Sequence, residues 1–188
     1  MTFTESLPAA KIEESYPGHD WPRTWKLLSN KVLSSESASF MYLIVHERVG
    51  TRERGHRLMP TKYLASNCPR CESAVESVKH RYTQCSFVSD AWAWIYRKII
   101  NLDPFFIQYD DLSLLHLKFS ASIHDNAIIW LLGNFILLVE KETVSKNNRL
   151  SLPFVMGYLK QLKISHSVQA LPDIGFIPGI DWDNKGIG

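Results

Sequence analysis

An all-α fold is what this 188-residue sequence predicts, an irregular helical domain with one Cys3His loop set between helices. Three observations carry the prediction. Apolar residues recur every three and four positions in several segments. Runs of alternating strand character are scarce. The three cysteines of the chain crowd into one stretch with a histidine, as Cys68, Cys71, His80 and Cys85. With 45% hydrophobic residues, the chain is long enough to bury a core of its own, so a metal need only staple one region.

The elements follow in order. Residues 1–19 mix Pro, Ser, Glu and Gly without periodicity and read as an irregular tail. A helix starts at Asp20 or Trp21, with Pro22 in the first turn, where no amide needs a partner. Trp25, Leu28 and Val32 then share one face. Ser34–Ser35–Glu36 interrupts the pattern, and Phe40, Met41, Ile44 and Val45 mark a second helix. The basic, glycine-punctuated segment before Pro60 predicts a short helical turn or an ordered loop. Residues 66–86 form the metal loop. Val88, Trp92, Ile95, Ile99 and Leu102 then define the best helix of the chain, which Asp103–Pro104 stops. Trp92 is expected in the core and Trp94, on the opposite side, half-buried at the surface.

Residues 103–122 read as a loop with one short helix, and Asp111 as its cap. Asp125–Asn126 cap a long apolar helix that ends near Lys146–Asn148. Its stretch Ala127–Val139 is shorter than the about 20 residues a bilayer span takes, so no membrane partner is expected. Ser151–Leu152–Pro153 opens a last helix through Tyr158, Leu159 and Leu162. The helical zinc-binding domain is thus expected over residues 20–167, followed by an irregular, Pro- and Gly-rich tail over 168–188. No internal repeat is visible.

The spacing C-x2-C-x8-H-x4-C offers four ligands, the number a tetrahedral structural zinc needs. A closed Cys3His shell leaves no position for a reacting water. The ligands alone would also accept iron or cobalt, but availability and geometry favour one structural zinc. A disulfide fits poorly, because MTFTESLPAA lacks the basic start and apolar core of a secretory leader. A redox C-x2-C prefers a strand-to-helix context, whereas Cys68–Cys71 lies in a polar turn. Ordinary core cysteines would be scattered along the chain. The expected setting is intracellular, in the nucleus or cytoplasm.

Charge is distributed unevenly. Residues 46–98 carry ten basic and five acidic groups, while both flanks are slightly acidic. The basic part contains the cysteine cluster, which hints at a polyanion. A solvated helix face would look the same.

The stretches SASFMYLIVHERVGTRERGHRLMP and NCPRCESAVESVKHRYTQCSFVSDAWAWI resemble the zinc-binding domain downstream of the reverse transcriptase in non-LTR retrotransposon polyproteins. The likeness lies in Cys68, Cys71, Glu76, His80, Cys85 and Trp92 or Trp94, and runs from about residue 24 to 100. Arg81–Tyr82 departs from the apolar residues that usually follow the histidine. The resemblance implies a non-catalytic module beside a polymerase that helps to hold RNA or DNA.

On that reading the phosphate-facing candidates are Arg48, Arg52, Arg54, Arg57, Lys62, Arg70, Lys79 and Arg81, with Tyr82 stacking on unpaired bases. A reverse transcriptase domain is a further candidate partner. The alternative is a zinc-stabilised helical scaffold for protein interaction, without a nucleic-acid role. Enzyme readings are weak. Tyr109–Asp110–Asp111 lacks the strands of a polymerase palm, and Pro172–Asp173 with Asp183–Asn184–Lys185 lacks the sheet of a nuclease. His46, His56 and His116 are assigned no role.

Overall fold

The computed structural model describes residues 18–168, and among them the fold is helical throughout. Seven α-helices are joined by tighter and wider turns: α1 (Trp21–Leu28), α2 (Ser35–Val45), α3 (Arg52–Leu58), a π turn (His80–Gln84), α4 (Ser89–Leu102), a 3-10 turn (Pro104–Gln108), α5 (Asp111–Leu115), α6 (Asp125–Leu138) with a π extension (Val139–Val144), and α7 (Leu152–Val168). One isolated antiparallel bridge, Asn67 to Val75, closes the metal loop. Residues 1–17 and 169–188 lie outside the described residues, and with them most of both expected tails and the Pro172–Lys185 pattern.

Helix α6 is the axis of the core. Every residue from Ala127 to Leu138 is buried, and a helix apolar on all sides has to be surrounded. It packs against α1, α2, α4 and α7. Gly133 permits the closest approach. A Cβ there would run into Leu33 Cδ2 and lie 3.1 Å from Met41 Sδ, so the glycine admits α2 and the turn before it against the α6 backbone. Buried Asn134 satisfies itself by donating to the Trp130 carbonyl at 2.8 Å.

Local chemistry sets the helix starts. Asp20 accepts the Arg23 amide, with Pro22 in the first turn of α1, and Ser34 accepts the Ser37 amide to open α2. The serine cluster that interrupts the periodicity is therefore a helix cap. Two caps differ from expectation. Asp110 caps α5 by accepting the Ser113 amide, one residue earlier than predicted. This frees Asp111 to accept the Trp92 indole N–H at 2.8 Å. At α6, Asp125 takes the Ser122 amide at 3.1 Å and pairs with Arg23 at 2.7 Å, while Asn126 accepts from Asn30, so neither caps the helix.

Trp94 also corrects the sequence reading. It is buried, with the Lys98 ammonium 5.4 Å from its ring centroid. Helix α4 is packed between α6, the π turn, the 3-10 turn and α7, so its second face is covered as well as the Trp92 face.

Candidate metal centre and its basic surroundings

The metal loop is built by short backbone bonds rather than by a core. The Cys68 amide donates to the Ala74 carbonyl at 2.8 Å and the Glu72 amide to the Cys68 carbonyl at 2.9 Å. These bonds fold residues 68–72 into a tight knuckle, and Glu72 takes the left-handed conformation (φ 55°) that turns the chain back. The other half of the shell rests on the π turn. The Cys85 amide donates to the His80 carbonyl, five residues back, at 2.8 Å. That wide turn is what an x4 spacing needs to bring both side chains to one point. The Val88 and Ser89 amides then donate to the Cys85 carbonyl, which starts α4 directly behind the ligand.

The four side chains converge. Cys68 Sγ and Cys85 Sγ lie 3.8 Å apart, and Cys71 Sγ lies 3.3 Å from His80 Nε2. All four ligand atoms fall within 4.8 Å of one another, and the residues range from half-buried Cys71 to fully buried Cys68 and Cys85. Zinc–sulfur bonds of about 2.3 Å arranged tetrahedrally require sulfurs about 3.8 Å apart. The group is positioned to hold one metal ion, and its donor set is that of structural zinc.

Its electrostatics are asymmetric. Burial would raise the Cys71 thiol, but hydrogen bonds from the Ser73 side chain and backbone, with Cys68 and His80, bring it down to about 6. Ser73 Oγ lies 3.3 Å from that sulfur. Burial pushes the Cys85 thiol up to about 11, although the Phe87 amide and Arg70 donate to it. Thiolate at Cys85 thus needs a cation beside it, which a bound metal supplies.

Behind the knuckle lies a buried ionic network with Glu76 at its centre. Its carboxylate accepts from Arg70 at 2.8 Å, from Arg81 at 3.1 Å and from the Arg52 backbone amide at 2.8 Å. Arg81 reaches on to Glu140 in the π extension of α6 at 3.3 Å and to the Gly50 carbonyl at 3.0 Å. Tyr82 donates its hydroxyl to the same Glu140 at 2.6 Å. Burial opposes the Arg81 charge, but Glu76 and Glu140 more than compensate, so its pKa stands above the ordinary value. Burial, and then the Glu140 charge, raises the Tyr82 hydroxyl well above its usual range.

Three nucleic-acid candidates are corrected by this network. Arg70 and Arg81 expose only 3% and 7% of their side chains and are held by carboxylates, and Tyr82 is fully buried. None of the three is available to a phosphate or a base. The departure from an apolar pair after the histidine has the same origin, because Arg81 and Tyr82 both reach Glu140 across the core. The signal that was missed is Glu140 itself, an acid at the end of an otherwise apolar run, which a buried cation had to match.

The other candidates remain near the surface. Arg48, Arg57 and Lys62 are exposed, and Arg52, Arg54 and Lys79 are partly so. Arg52 and Lys62 both approach the Tyr63 ring, at 5.5 and 5.6 Å from its centroid, and both line a shallow pocket with Cys68. Arg54, Arg57 and Lys79 edge a cleft of about 320 Å³ between α3, the residues preceding His80, and α5. Buried His116 lines that cleft, and burial, then Lys118, lowers its pKa to about 4. Of the remaining histidines, His46 stacks on Trp25 at 5.3 Å and His56 meets the Tyr63 carbonyl at 2.7 Å. No helix among the described residues is long and apolar enough to cross a membrane.

No curated protein and no solved structure matches the chain. Residues 11–92, which include all four converging side chains, match the family described as zinc-binding in reverse transcriptase, the family that the cysteine spacing resembles.

Proposed function

We propose that this chain is a non-catalytic module in which Cys68, Cys71, His80 and Cys85 bind one structural zinc and the adjoining basic surface holds RNA or DNA. It works within the cell as a fragment or remnant of a retrotransposon polyprotein, beside a reverse transcriptase domain. The observation that carries this reading is the placement of Arg52, Arg54, Arg57, Lys62 and Lys79 around the metal loop, on side chains that solvent reaches. A shell of three thiolates and one zinc has a net charge of about −1, so one cation suffices to neutralise it and the others are left over. Arg48, also exposed, extends the surface.

The test is metal analysis of the purified protein together with a salt titration of RNA and DNA binding. One zinc per chain is expected. The logarithm of affinity should fall with the logarithm of salt by about 0.7 to 0.9 per phosphate contact. Arg54→Ala with Arg57→Ala should weaken all sequences alike and flatten that dependence by about one unit per lost contact. A parent protein that binds neither polymer at low salt ends the nucleic-acid reading. The scaffold alternative would then take precedence. An open apolar groove lined by Trp25, Leu28, Ala38, Tyr42 and Leu43 supports it, since binding there would barely respond to salt.

A further inference from the structure

The cleft between α3 and α5 has a composition that a simple phosphate site would not have. Arg54, Arg57 and Lys79 lie at it, but so do the acidic residues Glu47 and Glu53. Val49, Val78 and Leu112 add apolar wall. His116 lines it too, 4% exposed, with a buried Nε2 that has no hydrogen-bond partner among the described residues. Carboxylates would repel an inorganic anion. They are acceptors suited to the amino and ring N–H groups on the edge of a nucleobase, and the apolar wall suits its face.

We infer that this cleft takes one unpaired nucleotide of a single strand, its phosphate on Arg54, Arg57 and Lys79 and its base inside against Val49, Val78 and Leu112. The inference rests on the nucleic-acid reading above and narrows it. The strand is single, because a paired base enters only after unstacking and unpairing, which costs free energy, whereas an unpaired base enters freely. The base carries amino donors, because a carboxylate such as that of exposed Glu53 accepts hydrogen bonds and cannot donate them. Uracil, with one ring N–H between two carbonyls, is the poorest fit. The metal loop takes part structurally, since Ser77, Val78 and Lys79 lead directly into His80.

The experiment measures fluorescence anisotropy of the zinc-loaded full chain with oligo-A, oligo-C and oligo-U strands and with a duplex. The parent should prefer oligo-A and oligo-C over oligo-U and over the duplex. Leu112→Trp fills the cleft without changing charge. It should weaken single-strand binding about tenfold, the loss of one base contact, and leave duplex binding within about twofold. Glu53→Gln, an exposed substitution, should narrow the advantage of oligo-A and oligo-C over oligo-U. If Leu112→Trp keeps its zinc content and melting temperature yet binds single strands like the parent, the cleft is not the site, while the basic-surface reading stands. If Leu112→Trp does not fold, Glu53→Gln decides, and an unchanged preference overturns the inference. A parent that binds single strand and duplex equally also overturns it. A parent that binds no nucleic acid removes the underlying reading as well.

Discussion

Glu76→Ala should be among the most damaging single substitutions outside the metal ligands. The carboxylate is 2% exposed and holds two guanidinium groups, Arg70 at 2.8 Å and Arg81 at 3.1 Å, together with the Arg52 amide that opens α3. Removing it takes away the carboxylate that Arg70 pairs with, and leaves Arg81 with Glu140 as its remaining carboxylate at 3.3 Å. Breaking a buried ion pair by truncating one partner costs about 3–5 kcal/mol, because the remaining charge stays buried without compensation. The abandoned Arg52 amide adds about 1 kcal/mol or more. These contributions share one network and do not simply add, so about 4 kcal/mol is the expected loss. With a urea dependence of about 2 kcal/mol per molar, the unfolding midpoint should drop by about 2 M.

The assay is urea unfolding followed by circular dichroism with zinc in fixed excess, so that metal linkage is constant. Arg149→Ala is the control. Its pairing with Asp90, at 3.5 Å, joins two well-exposed side chains and should contribute almost nothing. Adding Arg70→Met to Glu76→Ala should recover part of the loss by removing the stranded cation. A loss below about 1 kcal/mol for Glu76→Ala, or a double variant weaker than the single by a full further increment, would refute the argument that Glu76 compensates buried charge.

The same structure sets three further expectations. Tyr82→Phe removes the donor to Glu140 and should cost about 1–2 kcal/mol in thermal melts, while nucleic-acid affinity, measured in parallel, stays unchanged because the ring is inaccessible. Gly133→Ala should cost about 1–3 kcal/mol by the same melts, since the added methyl has to displace Leu33 and press on Met41 between α2 and α6. For His116, the folded pKa of about 4 lies below the ordinary 6.5, so the folded state binds fewer protons between these values. Its contribution, up to about 3 kcal/mol, is full above pH 6.5 and lost as pH falls towards 4, and His116→Phe should flatten that part of the stability profile.

What the sequence made legible, and what it hid, divides along physical lines. Periodicity located α1, α2 and α4, because each buries a face whose spacing is written in consecutive residues, while a long apolar run located α6 and a Ser-Leu-Pro start located α7. The metal group was legible for a similar reason. Its four ligands lie within 18 residues, so local geometry alone brings them together. Caps were missed by one position at α5, because Asp110 and Asp111 are chemically equivalent until the distant Trp92 indole selects one of them. Arg70 and Arg81 were misread for the same reason on a larger scale.

Arg81 and Glu140 are 59 residues apart and meet only when α6 packs behind the π turn. A count of positive charge in residues 46–98 could not separate Arg70 and Arg81, spent on carboxylates inside, from Arg54, Arg57 and Lys62 near the surface. The separation has a consequence for the module. Glu76 fixes Arg70 within the knuckle and Arg81 within the π turn, so one acid joins the two halves of the ligand shell. Its contact with the Arg52 amide places the start of α3, and with it the surface cations, relative to the metal. The interior charges therefore position the exterior ones, and removing Glu76 should disturb the basic surface as well as the fold.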